Sequence, residues 1–158
     1  MIKKQDVARS GSTGRPMDTT QKLLIDFYTG ASGPTLLLVA RSASPLKQLR
    51  DLFVSVSTEA ERHAEELFKK DWVEPSASIR SLVLRRLTNR KAEPTKTFRL
   101  LTQERGAVLE WSRHEEGWLE CADKLHALRL PGHQYLTIGA FNDALVEASH
   151  VEHVSRSE

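Results

Sequence analysis

Residues 21–41, QKLLIDFYTGASGPTLLLVAR, contain the two clearest strands of the sequence. In the first half, large apolar residues occupy every second position: Leu23, Ile25 and Phe27. This alternation predicts a β-strand with one well-buried face. Residues 35–41 are almost entirely apolar and predict a more deeply buried strand, and the intervening GASGP is typical of a turn. The segment therefore predicts an antiparallel hairpin.

Two helices are predicted after this hairpin. Ser44 and Pro45 suit the start of a helix, because Ser caps unpaired backbone N–H groups and Pro lacks an N–H. Apolar residues follow at helical spacing as far as Val56. Residues 58–61, TEAE, match a capping box and predict a second helix that continues to Phe68.

The remainder of the chain has mainly the pattern of strands. Strands are predicted at residues 79–87, 97–102, 107–113, 133–138 and 144–154, with a turn at Glu104-Arg105-Gly106. Helical spacing predicts a helix from Trp118 to Leu128; alternatively, residues 115–117 form a turn and Trp118 begins a strand. The order ββααβββαββ lacks the regular alternation of parallel sheets. It predicts an α+β fold with helices packed on one side of a mainly antiparallel sheet, and no internal repeat is visible.

Length and composition are those of one globular domain. The 158 residues are 39% hydrophobic and 28% charged, which is enough to build one core. Residues 1–20 predict a flexible leader, residues 21–154 the folded domain, and residues 155–158 a tail. The longest apolar run, residues 36–40, is far shorter than the roughly 20 residues of a membrane span. Cys121 is the only cysteine, which excludes an internal disulfide framework and suits a reducing compartment. We therefore expect a cytoplasmic protein of the bacterial type, and the short apolar run predicts no membrane partner.

Charge is unevenly distributed along a chain of net charge +2. Residues 79–105 carry eight basic and two acidic side chains, whereas residues 106–158 carry four basic and nine acidic ones. A basic segment can neutralise phosphates, so nucleic-acid binding is one alternative function. Its candidate contacts are Arg80, Arg85, Arg86, Arg90, Lys91 and Lys96. Since the segment has one aromatic residue and no nucleic-acid motif, another protein is the preferred partner.

Acidic residues cluster near the start of the third predicted helix. Glu116, Glu120 and Asp123 share a helix face opposite the apolar stripe, which predicts a solvated face or an acidic surface for a basic partner. Together with Glu115 they are the candidate partner contacts. Cys121 is flanked by acidic residues, which disfavour a thiolate, so we assign no catalytic nucleophile.

Five of the six histidines lie in the last third of the chain: His114, His126, His133, His150 and His153. Because residues three apart on a strand face opposite ways, His150 and His153 predict neither a metal site nor a cofactor. If Ile138 pairs with Ala144 in the final hairpin, His133 lies opposite Ser149. A pocket there would make the protein a small enzyme or ligand-binding domain, and its candidate residues are Trp111, His133, Tyr135 and His150.

Four short motifs in the last third resemble those of small bacterial immunity-type proteins. They are Glu110-Trp111, Glu116-Gly117-Trp118-Leu119, PGHQYL at 131–136 and NDALVE at 142–147. The resemblance implies a protein that is encoded beside a toxin and neutralises it by occlusion, without catalytic residues of its own. We therefore predict a non-enzymatic protein-binding module whose partner is a cognate toxin. The enzyme or ligand-binding domain and the nucleic-acid binder stay open as alternatives.

Overall fold

The computed structural model describes residues 19–31, 33–60, 63–88, 98–102, 104–138 and 144–151. These residues form an α+β fold, as predicted. The strands are β1 (Leu23–Gly30), β2 (Gly33–Ala40), β3 (Ala64–Glu66), β4 (Ile79–Leu87), β5 (Phe98–Thr102), β6 (Ala107–His114), β7 (Gly132–Ile138) and β8 (Leu145–His150). The helices are α1 (Ala43–Thr58) and α2 (Glu115–His126), and 3-10 turns lie at Thr19–Gln21, Leu67–Lys69 and Ala127–Arg129.

The strands divide between two four-stranded sheets. The first sheet has the order β1-β2-β8-β7 and the second has the order β3-β4-β6-β5. In each sheet the outer pairings are antiparallel, while the central pairing, β2 with β8 or β4 with β6, is parallel. Pairing is therefore mainly antiparallel, as predicted, but the sequence did not reveal the division into two sheets.

The same element order occurs twice along the chain. Residues 23–87 contain two strands, a helix and two strands, and residues 98–150 repeat this order. Each half contributes its first hairpin to one sheet and its last two strands to the other. In the first sheet, the hairpin β1-β2 of the first half pairs through β2 with β8 of the second half. In the second sheet, the hairpin β5-β6 of the second half pairs through β6 with β4 of the first half. The two sheets are therefore equivalent in topology, although the sequence shows no repeat.

The hydrophobic core contains residues from both helices and both sheets. An aromatic cluster joins the helices to the second sheet. The ring of Trp111 in β6 lies 5.5 Å from Phe53 of α1 and 4.8 Å from Trp118 of α2, measured between centroids. Phe98 of β5 stacks on Trp111 at 5.1 Å. Because aromatic side chains bury large apolar areas, this cluster ties β5, β6 and the two helices into one unit.

The predicted helix from residue 58 to Phe68 is wrong. α1 ends at Thr58, and β3 and a 3-10 turn follow instead. The carboxylate of Glu66 accepts hydrogen bonds from the backbone N–H groups of Phe68 and Leu82, both at 3.1 Å. This side chain links the turn to β4, so its hydrogen bonds favour the extended conformation over a helix.

The third predicted helix is confirmed as α2 over the alternative strand, and it begins at Glu115 rather than Trp118. The predicted leader lies outside the described residues except for Thr19 and Thr20, and the predicted tail lies wholly outside them. Neither of the two described α-helices has the length and apolar character required to cross a membrane.

Candidate interaction surface

The first sheet presents one face to the core and the other away from it. In three of its strands, residues buried in the core occupy every second position: Leu23 and Ile25 in β1, Leu36 and Leu38 in β2, and Val146 and Ala148 in β8. The residues between them project from the opposite face, since successive strand residues point to opposite sides. Paired residues of neighbouring strands then lie side by side on that face.

Three rows of side chains cross this outward face. The first row is Leu24, Val39, Ser149 and His133; the second is Asp26, Leu37, Glu147 and Tyr135; the third contains Tyr28, Thr35 and Leu145. Tyr28 and Tyr135 are each 44% exposed. We define the outer apolar face as the six large apolar residues of these rows: Leu24, Tyr28, Leu37, Val39, Tyr135 and Leu145.

The second sheet provides an internal comparison, because its topology is the same. Its corresponding face also contains apolar residues, Val83, Leu87 and Val108, but they alternate with Ser81 and with an ion pair. That ion pair joins Arg85 to Glu110 at 3.6 Å. Such a polar pattern is usual for a sheet that faces water. The outward face of the first sheet therefore has more apolar side chains than the equivalent face of the second sheet. An apolar face of this kind is typical of an interaction surface.

The charged side chains of the three rows, Asp26 and Glu147, are both acidic. Asp26 accepts hydrogen bonds from the Ser78 hydroxyl and from the backbone N–H of Phe27. Glu147 accepts a hydrogen bond from the Ser149 hydroxyl at 3.3 Å. Within the described part of the chain, neither carboxylate has an ion pair with a Lys or Arg side chain. The outward face of the first sheet thus carries negative charge beside the outer apolar face, and no described Lys or Arg side chain compensates it.

Comparison with known proteins gives no assignment. No family model matches the chain, and no curated protein or solved structure matches it either. Any functional conclusion therefore depends on the chemistry of this surface and of the other candidate residues.

The four residues of the predicted pocket do not converge. Trp111 is fully buried in the aromatic cluster, and His150 faces the core, with its Nδ1 2.9 Å from the Leu128 carbonyl oxygen. His133 and Tyr135 lie on the outward face of the first sheet, with ring centroids 5.6 Å apart. The sheet itself separates the two pairs, so the structure offers no common pocket for them.

The final hairpin has the predicted partner for His133 but a different register at its other end. His133 pairs with Ser149, as predicted, whereas Ile138 pairs with Leu145 rather than Ala144. An irregularity after Tyr135 accounts for the one-residue difference. Because the irregularity comes after Tyr135, this residue keeps the register of His133 and lies on the same outward face.

The predicted acidic contacts are all exposed on α2: Glu115, Glu116, Glu120 and Asp123. Glu120 is paired within the protein, 2.8 Å from Lys124 and 3.9 Å from Arg113. The hydrogen bond from Lys124 lowers the pKa of Glu120. Since part of its charge is already balanced, Glu120 is a weaker attractor for a basic partner than its exposure suggests.

The predicted nucleic-acid contacts are only partly described. Arg90, Lys91 and Lys96 lie outside the described residues. Arg80 is exposed, but Arg85 pairs with Glu110, and Arg86 donates to the Ser57 carbonyl at 3.2 Å. These three described arginines therefore do not form a shared basic patch.

Cys121 is buried in α2, and the fold brings a basic group to it that the local sequence did not indicate. Arg113 Nη1 lies 2.7 Å from its Sγ. Burial nevertheless raises the pKa of the Cys121 thiol, against the opposing effect of the arginine. The side chain consequently packs as a neutral apolar group.

A His–Glu cluster lies at β3, the edge strand of the second sheet, and was not anticipated from sequence. Glu59, His63 and Glu65 have potential metal-ligand atoms within 4.8 Å of one another. The second carboxylate oxygen of Glu65 is bound by the Lys70 ammonium at 2.9 Å. Because a cation of the protein already balances this carboxylate, the arrangement is that of a local ion-pair network.

The sequence indicated part of the outer apolar face but did not single it out. Leu24 and Tyr28 occupy the side of β1 opposite its buried residues, where a solvent-facing strand usually has polar residues. Leu37 and Val39 belong to a continuous apolar run, which is equally typical of a strand buried on both faces, so the sequence did not show that they face outward. The parallel pairing of β2 with β8, which places Leu37 beside Glu147 and Tyr135, joins residues about a hundred positions apart.

Proposed function

We propose that the protein is a non-enzymatic protein-binding module that neutralises a partner by covering it, in the manner of immunity or antitoxin proteins. The observation that carries this proposal is the outer apolar face, with its two half-exposed tyrosines. Tyrosine is enriched in the buried centres of protein interfaces, where lysine is depleted, and the three rows contain neither Lys nor Arg. The lone cysteine suits action in the cytoplasm.

The dimensions of the sheet fit the centre of an interface. Four strands about 4.8 Å apart, with about six residues each at roughly 3.3 Å per residue, cover on the order of 400 Å². A stable interface buries about 800 Å² on each partner. The outward face of the first sheet, with the outer apolar face at its centre, therefore has about half of that area, and residues around the sheet supply the rest.

Charge complementarity defines the chemistry of the partner. Asp26 and Glu147 lie in the same row on either side of Leu37. A partner surface with an apolar centre and Lys or Arg residues at matching positions would compensate both carboxylates and gain in association rate. Two copies of this chain packed face to face would instead bring like charges together.

The decisive experiment measures binding to the proteins encoded beside this gene in its source genome. Isothermal titration calorimetry should detect a complex with one of them. Tyr28→Ala and Tyr135→Ala should each weaken that complex about 30-fold, because tyrosines at interface centres commonly contribute 2 kcal/mol or more. Leu130→Ala is the matched control: Leu130 is 77% exposed but lies outside the three rows, so its variant should bind as tightly as the wild type.

Two results would contradict the proposal. One is the absence of binding to any neighbouring gene product. The other is a complex whose affinity is unchanged by both tyrosine substitutions. Analytical ultracentrifugation of the protein alone tests whether a second copy of this chain binds the outer apolar face instead. If the wild type forms a dimer and Tyr135→Ala does not, the outer apolar face is a self-association surface.

A further inference from the structure

A small cavity lies between the first turns of α1 and the end of α2. Its volume is about 200 Å³. The floor is apolar and consists of Leu46, Leu125 and Leu128, all buried. The rim is basic, with Lys47, Arg50 and Arg129. The cavity therefore combines an apolar interior with a positive entrance, and it does not belong to the outer apolar face.

Two of the three rim cations lack the acidic partners that other described basic residues have. Elsewhere in the described structure, Lys22 pairs with Glu74, and Lys70 with Glu65. By contrast, none of the described residues that line the cavity is acidic. Arg50 has one acidic neighbour, the exposed Asp51 at 3.8 Å, and in the described chain Lys47 and Arg129 have no ion pair. The entrance thus holds excess positive charge.

His126 lies between two of these cations and cannot balance their charge. Its Nδ1 lies 2.6 Å from Arg50 Nη1, and its Nε2 lies 2.6 Å from Arg129 Nη2. A neutral imidazole has one lone pair and one N–H, so it accepts a hydrogen bond from only one guanidinium. The other contact places an N–H group against an N–H group. An oxyanion beside this ring at the entrance would supply acceptor atoms that a neutral His126 lacks, so the guanidinium that faces an N–H group would gain a partner.

We propose that this cavity binds a small carboxylate that carries one apolar group the size of a phenyl ring or a short alkyl chain. A 150 Å³ apolar cavity accommodates benzene, so about 200 Å³ accommodates one such group but not a drug-sized ligand, which needs 300 Å³ or more. The carboxylate binds Arg50 and Arg129 at the entrance, with Lys47 adding charge. The function goes beyond protein binding, because this site lies apart from the outer apolar face.

The test uses 3-phenylpropionate as probe and 3-phenylpropanol as its neutral counterpart. In methyl-detected NMR of the full chain, the acid should shift the methyl signals of Leu46, Leu125 and Leu128. Its dissociation constant should be about 1 mM or tighter, a reasonable limit for roughly eleven non-hydrogen atoms. The alcohol should bind at least 10-fold more weakly, because it lacks the charge that the arginines bind.

Variants of the rim test the assignment without altering the core. The double variant Arg50→Gln, Arg129→Gln should weaken binding of 3-phenylpropionate at least 10-fold, and the control Arg80→Gln, also at an exposed arginine, should leave it unchanged. Thermal unfolding of each variant verifies that the fold is retained.

Three outcomes would overturn this proposal. The first is the absence of shifts at the three leucines. The second is equal affinity for the acid and the alcohol, which would show that the carboxylate does not contribute, or equal affinity for the acid and inorganic phosphate, which would show that the apolar group does not contribute. The third is an unchanged affinity in the double variant. None of these outcomes bears on the outer apolar face, so failure here is distinguishable from failure of the proposed function.

Discussion

At the scale of single residues, the contact between His63 and Glu65 couples two titrations. Nε2 of His63 lies 2.8 Å from Glu65 Oε1, and the Lys70 ammonium binds the other carboxylate oxygen. The hydrogen bond to Glu65 raises the pKa of His63 above its usual 6.5. The hydrogen bonds from His63 and then from Lys70 lower the pKa of Glu65 below its usual 4.5. The two groups therefore stabilise each other's charged forms.

This contact predicts how the stability depends on pH. A raised His63 pKa adds stability that is fully present below pH 6.5 and is lost as the pH rises through the raised value. A lowered Glu65 pKa adds stability that is present above pH 4.5 and is lost as the pH falls through the lowered value. The pair thus contributes most between about pH 4.5 and pH 6.5. NMR titration should give His63 a pKa above 6.5, and Glu65→Gln should return it towards 6.5.

An unchanged His63 titration curve in Glu65→Gln would show that the contact is absent in solution. Lys70→Gln is a useful second variant, because it removes a positive charge near His63 whose effect on that histidine is to lower its pKa. The pKa of His63 should therefore move up in Lys70→Gln and down in Glu65→Gln.

At the scale of elements, β3 and the 3-10 turn after it depend on one side chain. Glu66 accepts from the backbone N–H groups of Phe68 and Leu82 and also from the Ser81 hydroxyl. Hydrogen bonds to a charged group contribute more than neutral ones. Without this carboxylate, the N–H groups of Phe68 and Leu82 lose their acceptor.

Glu66→Ala should lower the free energy of unfolding by about 2 to 3 kcal/mol, as expected when charged hydrogen bonds to partly buried donors are removed. Glu66→Gln should lower the free energy of unfolding by less than Glu66→Ala does, because the amide keeps one acceptor oxygen. Urea denaturation measures both variants. The exposed Glu104, in the turn between β5 and β6, provides the control: Glu104→Ala should change the stability by less than about 0.5 kcal/mol. A Glu66→Ala variant as stable as this control would contradict the role of the carboxylate.

Local signals predicted most elements, and the failures have a common cause. The turn at Glu104-Arg105-Gly106 was correct, because Arg105 and Gly106 adopt positive φ angles of 59° and 100°, and the latter favours glycine. The helix through Phe68 was wrong, because the pattern of residues 58–61 suits a helix start while Glu66 forms its hydrogen bonds with β4, about 15 residues away. Sequence patterns report neighbours along the chain and not partners across it.

At the scale of the whole molecule, the exchange of strands between the two halves explains why the candidate site was largely hidden. Each sheet is completed by strands from both halves of the chain. Tyr28 and Tyr135 therefore share a face only because β8 pairs with β2 and β7 with β8. Nothing in the spacing of these residues indicates this pairing. The alternation in β1 predicted its buried face correctly, but the extent of the opposite face follows from topology alone.

The same exchange predicts that the two sheets unfold together. Leu38 is fully buried in the centre of the first sheet, and Leu38→Ala should cost about 2 to 5 kcal/mol. Because neither half can keep one sheet while losing the other, the substitution should reduce amide protection in β4 and β6 of the second sheet as much as in β2 and β8. Native-state hydrogen exchange measures this, with the exposed Leu130→Ala as control. If β4 and β6 kept their wild-type protection in Leu38→Ala, the sheets would be independent folding units, and the exchange of strands would not govern stability.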